Sequence, residues 1–477
     1  MRCTGPQPTI ALAPTLAAHK SNFTGVAITN SCEGNYTVTM PCLFAICSGT
    51  LELKSSRVSW VRAGAIPIDE MSSIVCVVGD SRVTVRNSRF SWNIFTPLAV
   101  RQRAEVVLHA SNISHNGVEG HAGGIYVDGR ARVWIGGGSR VNGNSATEFG
   151  GGLFVDENAT VSIRGGSSVY NNSAEASGGG LHITGNPTVT LTDGSSVFDN
   201  SAAASGGGMF VDGTATVTLS GGSSVYNNTA AERGGGLSAA GTAMLVLTDG
   251  STVHSNTAHM YGGGLNVQDY AFARLSGNIS VYDNTATEVG GGLSVWDNAR
   301  LVLSASSVHS NNAGTYGGGL VVEGSALITI RSSVHGNTAN YSGGGLDVRG
   351  RVIVTGGSSV HHNVAGLSGG GLNVKAGTNV LVTDGSSVHS NVANGGSGGG
   401  LNIELGARVI IRRRSTVLHN TCAGGAGGGV AVAFADGTEF DARGIVVVEH
   451  RLPFTATVAV DKEGSSKTEL EHGRPCS

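Results

Sequence analysis

Three consecutive glycines followed by an aliphatic residue return at nearly constant spacing through most of this chain. The residue after the glycines is Ile125, Leu153, Leu181, Met209, Leu237, Leu265, Leu293, Leu320, Leu346, Leu372, Leu401 and Val430, with only two glycines before Ile125. The first seven lie 28 residues apart in succession, and the later intervals are 26, 27 or 29. About nineteen residues after each of the first eleven comes Val-x-x-Asn, which brings in Asn144, Asn172, Asn200, Asn228, Asn256, Asn284, Asn311, Asn337, Asn363, Asn391 and Asn420, and Ile113-x-x-Asn116 precedes the first. A fixed period of this length marks a solenoid, in which each unit buries its apolar face only against its neighbours.

Within GGGLHITGNPTVTLTDGSSVFDNSA, Leu181 and Ile183 alternate with other residues, as do Val189 and Leu191, and Val197 adds a third apolar anchor. Period two means strand. Three adjacent glycines would penalise a helix, so helical repeats are excluded, and 28 residues is too short for a propeller blade of about 40 to 45. The expected coil is a triangle of three short strands with about five apolar side chains turned inward. Twelve such coils predict an all-β, right-handed parallel β-helix over 85–435. Residues 1–84 form an irregular, cysteine-containing cap with the first coils, and 436–477 form the other cap and tail. The glycines are expected at a bend that needs positive φ or close backbone approach, and the asparagines in a side-chain ladder running from coil to coil.

The paired GGGL and VxxN signatures resemble those of the polymorphic outer membrane proteins, GGA followed by Ile, Leu or Val, and FxxN. Phe90-Ser91-Trp92-Asn93 matches the second form outright. The resemblance spans about residues 85 to 432. It implies a pectin-lyase-like β-helix acting as an adhesin-type passenger exposed at the cell outer membrane. Autotransporting members end in a membrane barrel, whereas this chain runs to ELEHGRPCS soon after its last coil.

Net charge is −3, which gives no general attraction for nucleic acid, and no segment reaches 18 apolar residues. The opening MRCTGPQPTIALAPTLAAHKS reads as a poor signal peptide, being interrupted by Pro8 and Pro14. Five of the seven cysteines (Cys3, Cys32, Cys42, Cys47 and Cys76) precede the repeats, and Cys422 and Cys476 follow most of them. That placement predicts disulfides at the ends of the solenoid and an extracellular or cell-surface location. Eight sequons, at Asn22, Asn35, Asn112, Asn158, Asn171, Asn227, Asn278 and Asn340, agree with it.

One outer column stands out, the residue after the strand valine: Tyr170, Phe198, Tyr226, His254, Tyr282, His309, His335, His361 and His389. Stacked at coil spacing, these rings predict a stabilising ladder; the sharper alternatives are a sugar-stacking track or a metal site on the consecutive histidines. Asp128 and Asp156, equivalent positions one coil apart, are the nearest approach to the paired carboxylates of a polysaccharide lyase or hydrolase, although an aspartate there also suits a turn. Arg412, Arg413 and Arg414 form a basic run suited to an anionic glycan. The chain is therefore expected to be a non-catalytic scaffold that binds a glycan or a surface protein along its outer face, without a cofactor. A polysaccharide-degrading enzyme and a structural wall or matrix protein are the alternatives.

Overall fold

The computed structural model describes residues 10–12, 42–46, 50–59, 73–424, 427–433 and 439–443, and among these every regular element is a β-strand. The chain divides into two units, Met1–Ala231 and Glu232–Ser477. Each is a stack of parallel coils.

In the first unit a representative coil runs through Leu181–Ile183, Thr188–Leu191, Ser196–Phe198 and Ser201–Ala202. Each strand pairs in parallel with its counterparts one coil away, as Leu181 does with Leu153 and Met209. The coil therefore has four strands and not the three expected. The fourth, Ser201–Ala202, is too short for any alternation to be visible in sequence, and its inward residue is only an alanine. Leu181, Ile183, Val189, Leu191, Val197 and Ala202 fill the interior, so the hydrophobic effect acts along the stack and not within a coil.

Parallel pairing also reaches upstream of the GGGL repeats. Cys42–Ile46, Thr50–Lys54 and Arg57–Ser59 lie in register with Ser73–Val77, Arg82–Arg86 and Arg89–Ser91. Beyond them Ile10–Leu12 pairs antiparallel with Cys42–Ile46 and occupies the backbone edge that an open coil would otherwise present. Of the expected cap and tail at 436–477, only Glu439–Arg443, paired in parallel with Arg408–Arg412, falls within the described residues.

In the second unit Leu237, Leu265, Leu293, Leu320, Leu346, Leu372, Leu401 and Val430 each begin a strand. Where the repeat shortens to 26 or 27 residues, turns disappear and strands fuse, giving Arg300–His309 and Leu320–His335. The lost residues reappear as register shifts at Ser304/Ser307 and Glu323/Leu327.

Both physical reasons offered for the glycines apply, at different positions of one triplet. Gly178 has φ +72°, whereas a Cβ on Gly179 would lie 2.6 Å from the Gly207 carbonyl oxygen of the next coil. The first glycine turns the chain, and the second lets two coils touch backbone to backbone.

Candidate functional site

The asparagine column is buried and bonded as expected. In the first unit Asn116, Asn144, Asn172 and Asn200 donate from Nδ2 to the Oδ1 of Asn144, Asn172, Asn200 and Asn228 at 2.8–2.9 Å. In the second, Asn256, Asn284 and each ladder asparagine to Asn391 donate likewise at 2.8–2.9 Å. The same Oδ1 also accepts the preceding asparagine's backbone N–H, as Asn172 does from Asn144 at 3.0 Å. Every amide is thus used inside the wall, and none faces a ligand.

The ring column forms stacks. Tyr170, Phe198 and Tyr226 lie 4.8 Å apart with planes within 3°. In the second unit His254, Tyr282, His309, His335, His361 and His389 follow at 4.7–5.2 Å. Stacked rings use their faces on one another and present edges to solvent, so a sugar finds no open face here. Nor do the imidazoles converge: among the described residues no group of three or more His, Cys, Asp or Glu is placed to hold a metal ion. Burial lowers the basicity of His254, His309, His335 and His389. His361 falls to about 4, through burial first and then through His335, His389 and His362.

The more unusual chemistry lies on the outer side of the first strand of each coil, at the residue between Leu and Val. In the first unit this column is Tyr126, Phe154, His182 and Phe210, stacked at 5.0–5.4 Å. His182 is buried among these rings, and desolvation lowers it to about 4. Beside the column, Arg101 lies 4.8 Å from the Tyr126 ring centre and 3.9 Å from Asp128. Burial raises the Asp128 carboxyl, while Arg101 acts against that shift. Asp156 and Asp212 instead accept the next residue's backbone N–H, which is turn chemistry.

In the second unit the equivalent column is Ser238, Asn266, Ser294, Val321, Asp347 and Asn373, all buried. Asp347 has no exposed surface and accepts from Arg349 Nε at 2.8 Å and Asn373 Nδ2 at 2.7 Å. Desolvation still raises its carboxyl. Arg349 lies over the Tyr316 ring at 4.9 Å and also reaches Glu323 at 3.6 Å, and Lys375 bonds Glu404 at 2.6 Å. The residues before the glycine triplets, Arg233, Tyr261, Val289, Tyr316 and Ser342, are joined by parallel bridges into a further row. Along that row Tyr261 meets Trp296 at 4.7 Å and 59°, and Tyr316 meets Tyr341 at 6.0 Å and 46°. These rings are tilted to one another rather than stacked, and cations lie over two of them, Arg233 over Tyr261 at 5.4 Å and Lys375 over Tyr316 at 5.6 Å.

The variable segments before the glycines, AERGGG and HMYGGG among them, point in the sequence to binding on this side of the coil, but its other residues were not foreseen. The available signal was the lone acid at Asp347 in a column otherwise of Ser, Asn, Val and aromatic residues, and the aromatic residues preceding the glycines. Of the basic run, Arg413 pairs with Asp384 at 3.1 Å, and Arg413 and Arg414 adopt positive φ in a turn. A shallow hollow of about 320 Å³ in the first unit, lined by Ser145, Ser173, Ser201, Glu175 and neighbouring alanines, brings together no acid–base pair.

The family described as right handed beta helix region matches residues 41–230 and 166–339. No curated protein matches the chain, and no solved structure does. The two matches together span more than half of the 477 residues and agree with the parallel four-stranded coils, so the chain belongs to the right-handed β-helix family.

Proposed function

We propose that this protein is a non-catalytic, adhesin-like β-helix of the secreted or cell-surface kind, which binds glycan along the first-strand face of its second unit. The observation that carries the reading is the pair of tilted aromatic contacts, Tyr261 with Trp296 and Tyr316 with Tyr341, set among Arg233, Arg349, Gln268 and Lys375. Aromatic rings only partly buried and flanked by donors and acceptors suit sugar C–H groups and hydroxyls. The disulfide at Cys76 supports an oxidising compartment. So does the exposure of Asn158, Asn171, Asn227, Asn278 and Asn340 among the sequon asparagines. The repeat signature supports kinship with the polymorphic outer membrane type.

The test is a glycan array with the full chain and three variants. Trp296→Ala and Tyr316→Ala should abolish binding, while Tyr170→Ala, in the stacked ladder, should leave it. Binding that survives both of the first two changes would refute the assignment. A polysaccharide-degrading activity is favoured by one feature, the raised carboxyl of Asp128 beside Arg101 and Tyr126. Turnover of any polymer that Asp128→Asn eliminates would establish it instead.

A further inference from the structure

Within this face, the surroundings of Tyr261 differ from those of Tyr316. Around Tyr316 each cation has a carboxylate partner, Arg349 with Asp347 and Glu323, and Lys375 with Glu404. Arg233 lies 5.4 Å from the Tyr261 ring centre, and its hydrogen-bond partner there is the neutral Gln268, reached from Nη1 at 2.8 Å. Two buried donors beside Tyr261 have no partner at all, Arg233 Nε and Trp296 Nε1. The nearby acceptor is already engaged: Gln268 Oε1 takes the Arg233 bond and a second from Asn266 Nδ2 at 3.1 Å. Buried N–H groups without acceptors are costly to leave unmade and most favourably met by an anionic oxygen. A half-buried guanidinium without a carboxylate favours the same ligand.

We propose that the Tyr261 subsite receives an anionic group, a carboxylate or a sulfate ester, carried by a sugar residue that lies against the tilted Tyr261 and Trp296 rings. The inference rests on the glycan-binding reading and adds the charge class of the ligand. Arg233 and the Trp296 indole N–H contact the anion, and Gln268 holds Arg233 in place.

The experiment is calorimetric titration of the full chain with three oligosaccharides of equal length, one uronic, one sulfated and one neutral, at about 50 and about 300 mM NaCl. At low salt one or both acidic ligands should bind at least about tenfold more tightly than the neutral one, and the advantage should shrink at high salt. The two acidic arms separate carboxylate from sulfate. Arg233→Gln should remove the preference. Trp296→Phe, which keeps an aromatic ring but lacks the N–H, should weaken acidic ligands by about tenfold. Thermal unfolding of both variants checks that they fold. Equal binding of neutral and acidic ligands, unchanged by Arg233→Gln, would overturn the inference and leave glycan binding intact. If neither these ligands nor any array glycan binds, the glycan reading itself fails and takes the inference with it.

Discussion

Acidification should loosen the second unit through its imidazole stack, and His361 is where the size of the effect can be worked out. Its ring stacks on His335 and His389 at 4.9 Å, its Nδ1 lies 2.8 Å from His362 Nδ1, and Ser333 Oγ meets its Nε2 at 3.1 Å. No carboxylate is among these contacts to offset a proton. The folded value is lowered to about 4 from 6.5, so the unfolded chain takes the proton first. The stabilising contribution is present above pH 6.5 and is lost as pH falls from there toward 4. The full gap corresponds to at most about 3.4 kcal/mol at neutral pH. The ring is only half-buried, and solvent screening reduces this to about 1 to 2 kcal/mol. Most of that is lost by about pH 5. Urea unfolding followed at about pH 7.5 and 5.0 should show the midpoint falling by about 0.3 to 0.5 M for a loss of about 1 kcal/mol. His361→Phe keeps a flat ring in the stack and removes the proton site, so its midpoint should change less between the two pH values. If wild type and His361→Phe lose the same amount on acidification, the reasoning is wrong.

Other perturbations probe the wall and the face. Asn311→Ala removes the acceptor for Asn284's backbone and side-chain N–H groups as well as its own bonds to Asn337 and Val281; chemical denaturation should show a loss of about 2 to 4 kcal/mol. Gly291→Ala would place a Cβ 2.6 Å from the Gly318 carbonyl oxygen, whereas Gly250→Ala meets nothing within 4 Å and suffers only from φ +70°. The first should yield little soluble protein, and the second should cost about 1 kcal/mol in thermal or urea unfolding. Arg349→Ala leaves the Asp347 carboxylate buried with Asn373 as its remaining hydrogen-bond donor and should destabilise by about 3 to 5 kcal/mol. Adding Asp347→Asn should recover most of that loss in the same denaturation assay, because the uncompensated charge is gone.

Strand periodicity, glycine bend and asparagine ladder were legible in the sequence because each depends on an interaction between equivalent residues of neighbouring coils, whereas the coils upstream of the twelve repeats carry no GGGL signature to count. Leu181 meets Leu153 and Met209, and Asn172 meets Asn144 and Asn200, so a period read along the chain is also a map of contacts. The ring column was legible for the same reason. Its use of ring faces was not, because stacking and sugar binding call for the same residues at the same spacing and differ only in the angle between planes. The fourth strand escaped notice because two residues such as Ser201–Ala202 carry no alternation. Tertiary structure alone decided the first-strand face of the second unit. Arg233 and Tyr261 share one repeat position and Gln268 and Trp296 another, and only the fold of the turns around the glycine triplets draws the two rows into one cluster. Periodicity reports contacts between like positions; a binding site is built from unlike ones, and their meeting depends on side-chain direction and burial in three dimensions.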